Sequence, residues 1–140
     1  MPESILTKLK LIQGYKFKAE FDVEGMPNLI IDEPKPIGQG SGPNPTRLLS
    51  AAVGSCLSSS LLYCLNKAHV KVRNFETTVT ASVQRNEEGR LRVKSFGVQI
   101  HLDTEEEGKS RVPRCIEIFE NYCTVTPSVR KGIAVNVTLV

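Results

Sequence analysis

The chain has 140 residues, 40% of them hydrophobic, 24% charged and 6% aromatic, with a formal net charge of +3. That is the size of one domain that buries a core without disulfide staples, so a single domain over residues 1–140 is expected. The basic residues are scattered and not interleaved with aromatics, which argues against a nucleic-acid surface.

The N-terminus MPESILTKLK lacks a basic segment followed by an apolar run, so no signal peptide is read and a cytoplasmic, reducing setting is expected. Ile5 to Ile12 and Tyr15 to Val23 read as two strands around Gln13-Gly14, with Tyr15, Phe17, Ala19, Phe21 and Val23 on one face. Asn28 to Asp32 reads as a short third strand. Residues 33–43 carry Pro34, Pro36, Gly38, Gly40, Gly42 and Pro43 and form a loop.

Asn44-Pro45 is a helix start: Asn caps, and Pro suits the first helical position. The helix is expected to reach about Ala68. Leu48 to Asn66 holds no charged residue and is near membrane-spanning length. Its six polar residues, five of them serines, make it too polar for a lone span, so the reading is a helix buried in a soluble protein. A helix apolar on nearly every side must be surrounded, by a wrapped sheet or a partner subunit. Gly54, Ser55, Ser58 and Ser59 allow another backbone to come close.

Val70 to Gln84 and Leu91 to Leu102 read as long strands of a hairpin turning at Asn86-Glu87-Glu88-Gly89. Residues 103–108 form an acidic connection. Val112, Cys115, Ile116, Phe119 and Tyr122 fall at helical spacing, which predicts a second helix over 111–122 capped by Ser110. Thr126-Pro127 starts a further short turn before Gly132, and Ile133 to Val140 alternates as a closing strand. The fold class is α+β.

The four cysteines stand as two equally spaced pairs, Cys56/Cys64 and Cys115/Cys123. Eight residues of helix separate two Cα atoms by about 12 Å, beyond the ~7 Å a disulfide allows. If helix also runs from Cys115 to near Cys123, any disulfide must join an early cysteine to a late one, and the spacing leaves open which. These gaps, with His69 and His101 at strand ends, do not match zinc knuckles, so no metal is expected. Gly38-Gln39-Gly40-Ser41-Gly42 lacks the Lys-Ser/Thr ending of a phosphate loop and reads as a flexible loop. No Gly-x-Ser-x-Gly is present. Thiol redox chemistry is what remains. Ser55, Ser58, Ser59 and Ser60 are candidate donors to a Cys56 thiolate, against the plainer reading of Cys56 as a small core residue. Cys123 precedes a helix start whose dipole favours a thiolate, against the plainer reading of a helix-end residue covering the core.

The segment Gly42-Pro43-Asn44-Pro45-Thr46-Arg47-Leu48-Leu49 through Gly54-Ser55-Cys56 resembles the opening of the central helix in the OsmC/Ohr family. Asn121-Tyr122-Cys123-Thr124-Val125-Thr126 resembles that family's second cysteine site. The resemblance implies an OsmC-like fold of antiparallel sheets wrapped around long central helices in an intertwined homodimer, with active sites at the subunit interface. It implies a thiol-dependent peroxidase acting on organic hydroperoxides or hydrogen peroxide, with no cofactor. Cys56 would be the peroxidatic cysteine and Cys123 the resolving one, and an external thiol would reduce their disulfide. The competing reading is a redox-thiol or small-molecule binding module on the same fold, without efficient turnover. Two positions depart from the family pattern. Thr46 stands where the peroxidases carry Glu, and no Arg precedes Arg47. Thr46 and Arg47 are the candidate substrate contacts, and Lys35, Arg47 or an Arg from elsewhere would have to replace the missing guanidinium. If Cys56 lies opposite Cys123 on antiparallel helices, equal spacing puts Cys64 opposite Cys115, where both are expected as inert structural thiols.

Overall fold

The computed structural model describes residues 2–140. The chain divides into two compact units, residues 1–48 and 49–140.

In the first unit, β1 (Thr7–Gln13), β2 (Lys16–Phe21) and β3 (Leu29–Ile31) form an antiparallel sheet in that order. Leu9 pairs with Ala19 and Leu11 with Phe17, and the hairpin turns through Gly14 at φ 52°. Ala19 is the residue of β2 that is fully enclosed. The loop after β3 is organised by one carboxylate. Asp32 accepts the amide N–H of Glu33 (2.8 Å), Gln39 (3.2 Å) and Ser41 (3.1 Å), and the Ser41 hydroxyl at 2.7 Å. These donors hold the Asp32 carboxyl below its ordinary range: the Ser41 hydroxyl and amide lead, and they outweigh burial.

Helix α1 (Pro45–Lys67) starts as the sequence predicts: Asn44 Oδ1 accepts the Arg47 amide at 3.0 Å. It ends at Lys67, where His69 turns left-handed (φ 58°) and Val70 N–H returns to the Leu65 carbonyl at 2.9 Å. By length and composition α1 could cross a membrane, and 33% of its most apolar window is buried inside the chain.

In the second unit, β4 (Val72–Arg85) and β5 (Leu91–Thr104) form a long antiparallel ribbon in continuous register apart from two bulges. Its turn is fixed by Asn86, whose Oδ1 accepts the amides of Glu88 (3.0 Å) and Arg90 (2.9 Å), with Gly89 at φ 78°. α1 lies on this ribbon. Gly54 permits the approach: a Cβ there would stand 2.7 Å from Val79 Cγ2. One turn later the Ser58 hydroxyl meets Thr77 Oγ1 at 2.6 Å. Leu61 and Leu65 then pack with Val70, Phe75, Ile100 and Leu102.

Three expectations are corrected. The second helix is broken: a 3₁₀ turn (Lys109–Arg111) leads into α2 (Val112–Ile118), followed by another 3₁₀ turn (Phe119–Tyr122) and α3 (Val125–Lys131). Ser110 is not the cap. It lies within the first 3₁₀ turn, and Arg111 takes the capping position without a side-chain bond. The closing strand Ile133 to Val140 does not form. A strand needs a neighbouring backbone, and among the described residues β4–β5 stays two-stranded. The alternating side chains Ile133, Val135, Val137 and Leu139 are therefore exposed, Val137 at 88%.

Candidate functional site

The chain brings its cysteines together as one early and one late residue in each pair. Cys56 and Cys123 are free thiols whose sulfurs stand 2.8 Å apart. Cys64 and Cys115 form a disulfide with Cα atoms 5.6 Å apart. Antiparallel matching of α1 with the α2–α3 segment thus holds, and the expectation of two inert thiols at Cys64 and Cys115 is corrected to a bond. Each pair has its own surroundings. Cys123 is buried with Val53 and Leu57, against Cys56, Phe96, Val98, Phe119, Val125 and Val129. Cys115 is buried with Leu61, Leu65 and Val70.

Local backbone explains why the Cys56–Cys123 pair suits thiolate chemistry. Cys123 is extended (φ −80°, ψ 127°) between the 3₁₀ turn and α3, so the first amides of α3 lack helical partners. Val125 N–H donates to Cys56 Sγ at 3.4 Å, and Thr126 N–H donates to Cys123 Sγ at 3.5 Å. The Cys123 thiol and Thr126 Oγ1 are 3.2 Å apart, and this hydroxyl turns to donate once the sulfur ionises. Burial raises the Cys123 thiol, but bonds from the Cys56 thiol, the Thr126 hydroxyl and the Thr126 and Val125 amides outweigh it, so its pKa lies below the ordinary value.

The helix start after Cys123 does what the sequence suggested. The serines do not. Ser58 donates to the Gly54 carbonyl at 2.7 Å and meets Thr77, and the bonds to Cys56 Sγ come from Cys123 and Val125 instead. Thr46 and Arg47 lie in the first turn of α1.

A cavity of about 580 Å³ is lined by Val53, Leu57, Phe96 and Thr126 among others, residues that also pack on or bond Cys123, while neither cysteine lines it. At its rim Arg130 Nη2 bonds Glu120 Oε1 at 2.7 Å. Sequence reasoning passed over this ion pair. Glu120 and Arg130 are ten residues apart and belong to different helical turns, so only the break at Cys123 brings them together.

No curated protein matches the chain by sequence. Solved structures do match it as folds. An OsmC-like protein from Vibrio cholerae superposes with a TM-score of 0.77 at 14% identity, covering 91% of this chain and 94% of that one. An OsmC-like protein from Mycoplasma pneumoniae gives 0.76 at 17% identity over 100% and 99%. An organic hydroperoxide resistance protein OsmC from Legionella pneumophila gives 0.65 at 18% identity over 91% and 90%. The model of the family described as OsmC-like protein matches residues 38–138, and the chain belongs to that family.

Proposed function

We propose that the protein is a two-cysteine thiol peroxidase, with Cys56 as peroxidatic and Cys123 as resolving residue. The observation that carries this reading is the 2.8 Å approach of their free sulfurs. A disulfide of about 2.05 Å then needs less than ~1 Å of closure. Cys56 is the more accessible of the two, so it meets the peroxide. Its thiolate attacks the terminal oxygen. The O–O bond breaks, the alkoxide leaves and is protonated to an alcohol, and Cys56 carries a sulfenic acid. The Cys123 thiolate attacks the sulfenic sulfur, hydroxide leaves as water, and the disulfide closes. Two external thiols return the pair to its reduced form. The cavity next to the residues that enclose Cys123 has a mostly apolar lining with Lys94, Glu120 and Arg130, which suits an organic hydroperoxide whose path to Cys56 opens from that side. Arg130 is the guanidinium on the cavity side, and Thr46 and Arg47 remain the candidates from the α1 start. The hydroperoxide resistance function that names the Legionella relative agrees with this assignment.

The working unit in this reading is a homodimer in the cytoplasm, supplied by a cellular thiol. The unpaired apolar segment 133–140, the outward Leu62 of α1, and Leu9 and Leu11 of β1 are the surfaces a second copy would cover. The test is thiol mapping after one equivalent of peroxide. The expected result is rapid, stoichiometric loss of the Cys56 and Cys123 thiols into one disulfide, abolished by Cys56→Ser. Oxidation no faster than that of free cysteine would leave the binding-module reading in its place.

A further inference from the structure

The second cysteine pair opens on a cavity of its own. A space of about 720 Å³ is walled by Tyr63, Cys64 and Lys67 from α1, by Arg111, and by Arg114 and Cys115 from α2. Its lining residues include three basic side chains and no carboxylate. The three cations are held differently. Arg111 is pinned: its Nε donates to the Ala68 carbonyl at 2.6 Å and its Nη2 to the His69 carbonyl at 3.2 Å. Lys67 Nζ stands 5.8 Å from the Tyr63 ring centre. Arg114 pairs with Glu117 at 3.2 Å, both side chains 70% exposed, a contact that water and salt readily exchange. Cys115 is 2% exposed and Cys64 half-buried, so an incoming nucleophile meets the Cys64 sulfur.

We propose that Cys64–Cys115 is a second redox centre, which exchanges with a small anionic thiol entering through this basic cavity. The thiolate of the incoming molecule attacks Cys64 Sγ. The Cys64–Cys115 bond breaks, and Cys115 leaves as a thiolate. A second thiolate attacks the small-molecule sulfur of the mixed disulfide, so two thiols are oxidised to one small disulfide and two protein thiolates form, which take protons from water. The cations of the cavity raise the local concentration of a negatively charged thiol. This centre works apart from the first pair: Cys56 and Cys64 are about 12 Å apart along α1, too far for direct exchange. The proposal goes beyond the peroxidase reading and does not depend on it.

The test uses the wild-type chain and two probes, 3-mercaptopropionate and cysteamine, whose thiolates carry net charges of about −2 and about 0. Each reduction rate, read by quenched alkylation and peptide mapping at Cys64 and Cys115, is divided by the same thiol's rate on a small neutral disulfide at equal thiolate concentration. Expected is a preference of about tenfold for mercaptopropionate at low ionic strength, shrinking as salt is added. Lys67→Ala with Arg114→Ala lowers it to about twofold, with Arg111 kept because it holds the end of α1. The salt series on the unsubstituted chain carries the test if that variant fails to fold. Equal normalised rates for the two probes, reduction that requires denaturant, or mapping that finds Cys64 and Cys115 unjoined would overturn the proposal.

Discussion

Thr126→Val isolates the device that keeps Cys123 reactive. Valine matches threonine in shape and keeps the Thr126-position amide, so only the hydroxyl at 3.2 Å from Cys123 Sγ is lost. A hydrogen bond to a charged group contributes about 1.5–3 kcal/mol, and a soft sulfur acceptor places this one at the lower end. Its loss raises the Cys123 pKa and, at 1.36 kcal/mol per factor of ten, lowers the thiolate population about tenfold well below it. The sign follows from ionisation: the variant loses thiolate below its raised pKa and loses none well above it. The resolving step depends on that thiolate, so disulfide formation at pH 6 should slow about tenfold and be unchanged near pH 10. The assay mixes reduced protein with one equivalent of peroxide, quenches at intervals, and maps the Cys56–Cys123 disulfide across pH, with thiolate ultraviolet absorbance as an independent titration. Thr126→Ser should restore most of the wild-type profile. A valine profile that superimposes on wild type, or that drops equally at every pH, would refute the assignment of the hydroxyl.

Gly54→Leu drives a side chain into Val79 where even a Cβ would stand at 2.7 Å, and should cost about 1–3 kcal/mol. An unchanged urea midpoint would show that α1 does not press on β4 there. Asp32→Asn removes an acceptor whose folded pKa is lowered, so its effect should be full above the unfolded carboxyl value of about 4 and fade as pH falls through the lower folded value. Hydrogen exchange at the Gln39 and Ser41 amides reads this, and a pH-independent difference between variant and wild type would count against it. Val137→Lys places a charge in the unpaired terminal segment and should weaken self-association more than tenfold while leaving residues 49–131 folded. Sedimentation showing the same assembly as wild type would exclude that segment from the interface.

Much of this architecture could be read from residue order because it is written in local chemistry. Asn44-Pro45 starts α1 within one residue of where capping places it, and Asn86 with Gly89 fixes the hairpin turn. Helix rise along α1 excluded a Cys56–Cys64 bond, and the structure sets each early cysteine against a late one. What failed was what depends on distant backbone. The terminal alternation 133–140 has strand character, but it pairs with no sheet edge among the described residues. The helical period through 111–122 is real, yet the chain breaks at Ile118 and again at Cys123, and that second break frees the amides of Val125 and Thr126. The serines beside Cys56 resembled thiolate donors in sequence, but Ser58 turns to Thr77 on the neighbouring strand. Glu120 and Arg130 had no local signal linking them at all.

The two cysteine pairs share spacing and helices yet stand in different states, and the backbone around the late member of each explains how. Cys115 lies inside α2, where amides are directed to helical carbonyls and none turns to its sulfur. Cys123 lies in the gap before α3, where Thr126 N–H and its hydroxyl converge on the sulfur and Val125 N–H reaches Cys56. Donors that stabilise a thiolate stabilise the reduced form of a couple and make its disulfide the stronger oxidant. The Cys56–Cys123 couple should therefore have the higher reduction potential. One unit of thiolate stabilisation corresponds to about 1.4 kcal/mol, or about 30 mV for two electrons. Two donors from Thr126 and one from Val125 should separate the couples by at least that much. Equilibration in glutathione buffers of graded ratio, followed by peptide mapping, measures both couples in one sample. A Cys64–Cys115 bond that opens at a higher potential than Cys56–Cys123 would mean that something other than these amides sets the order.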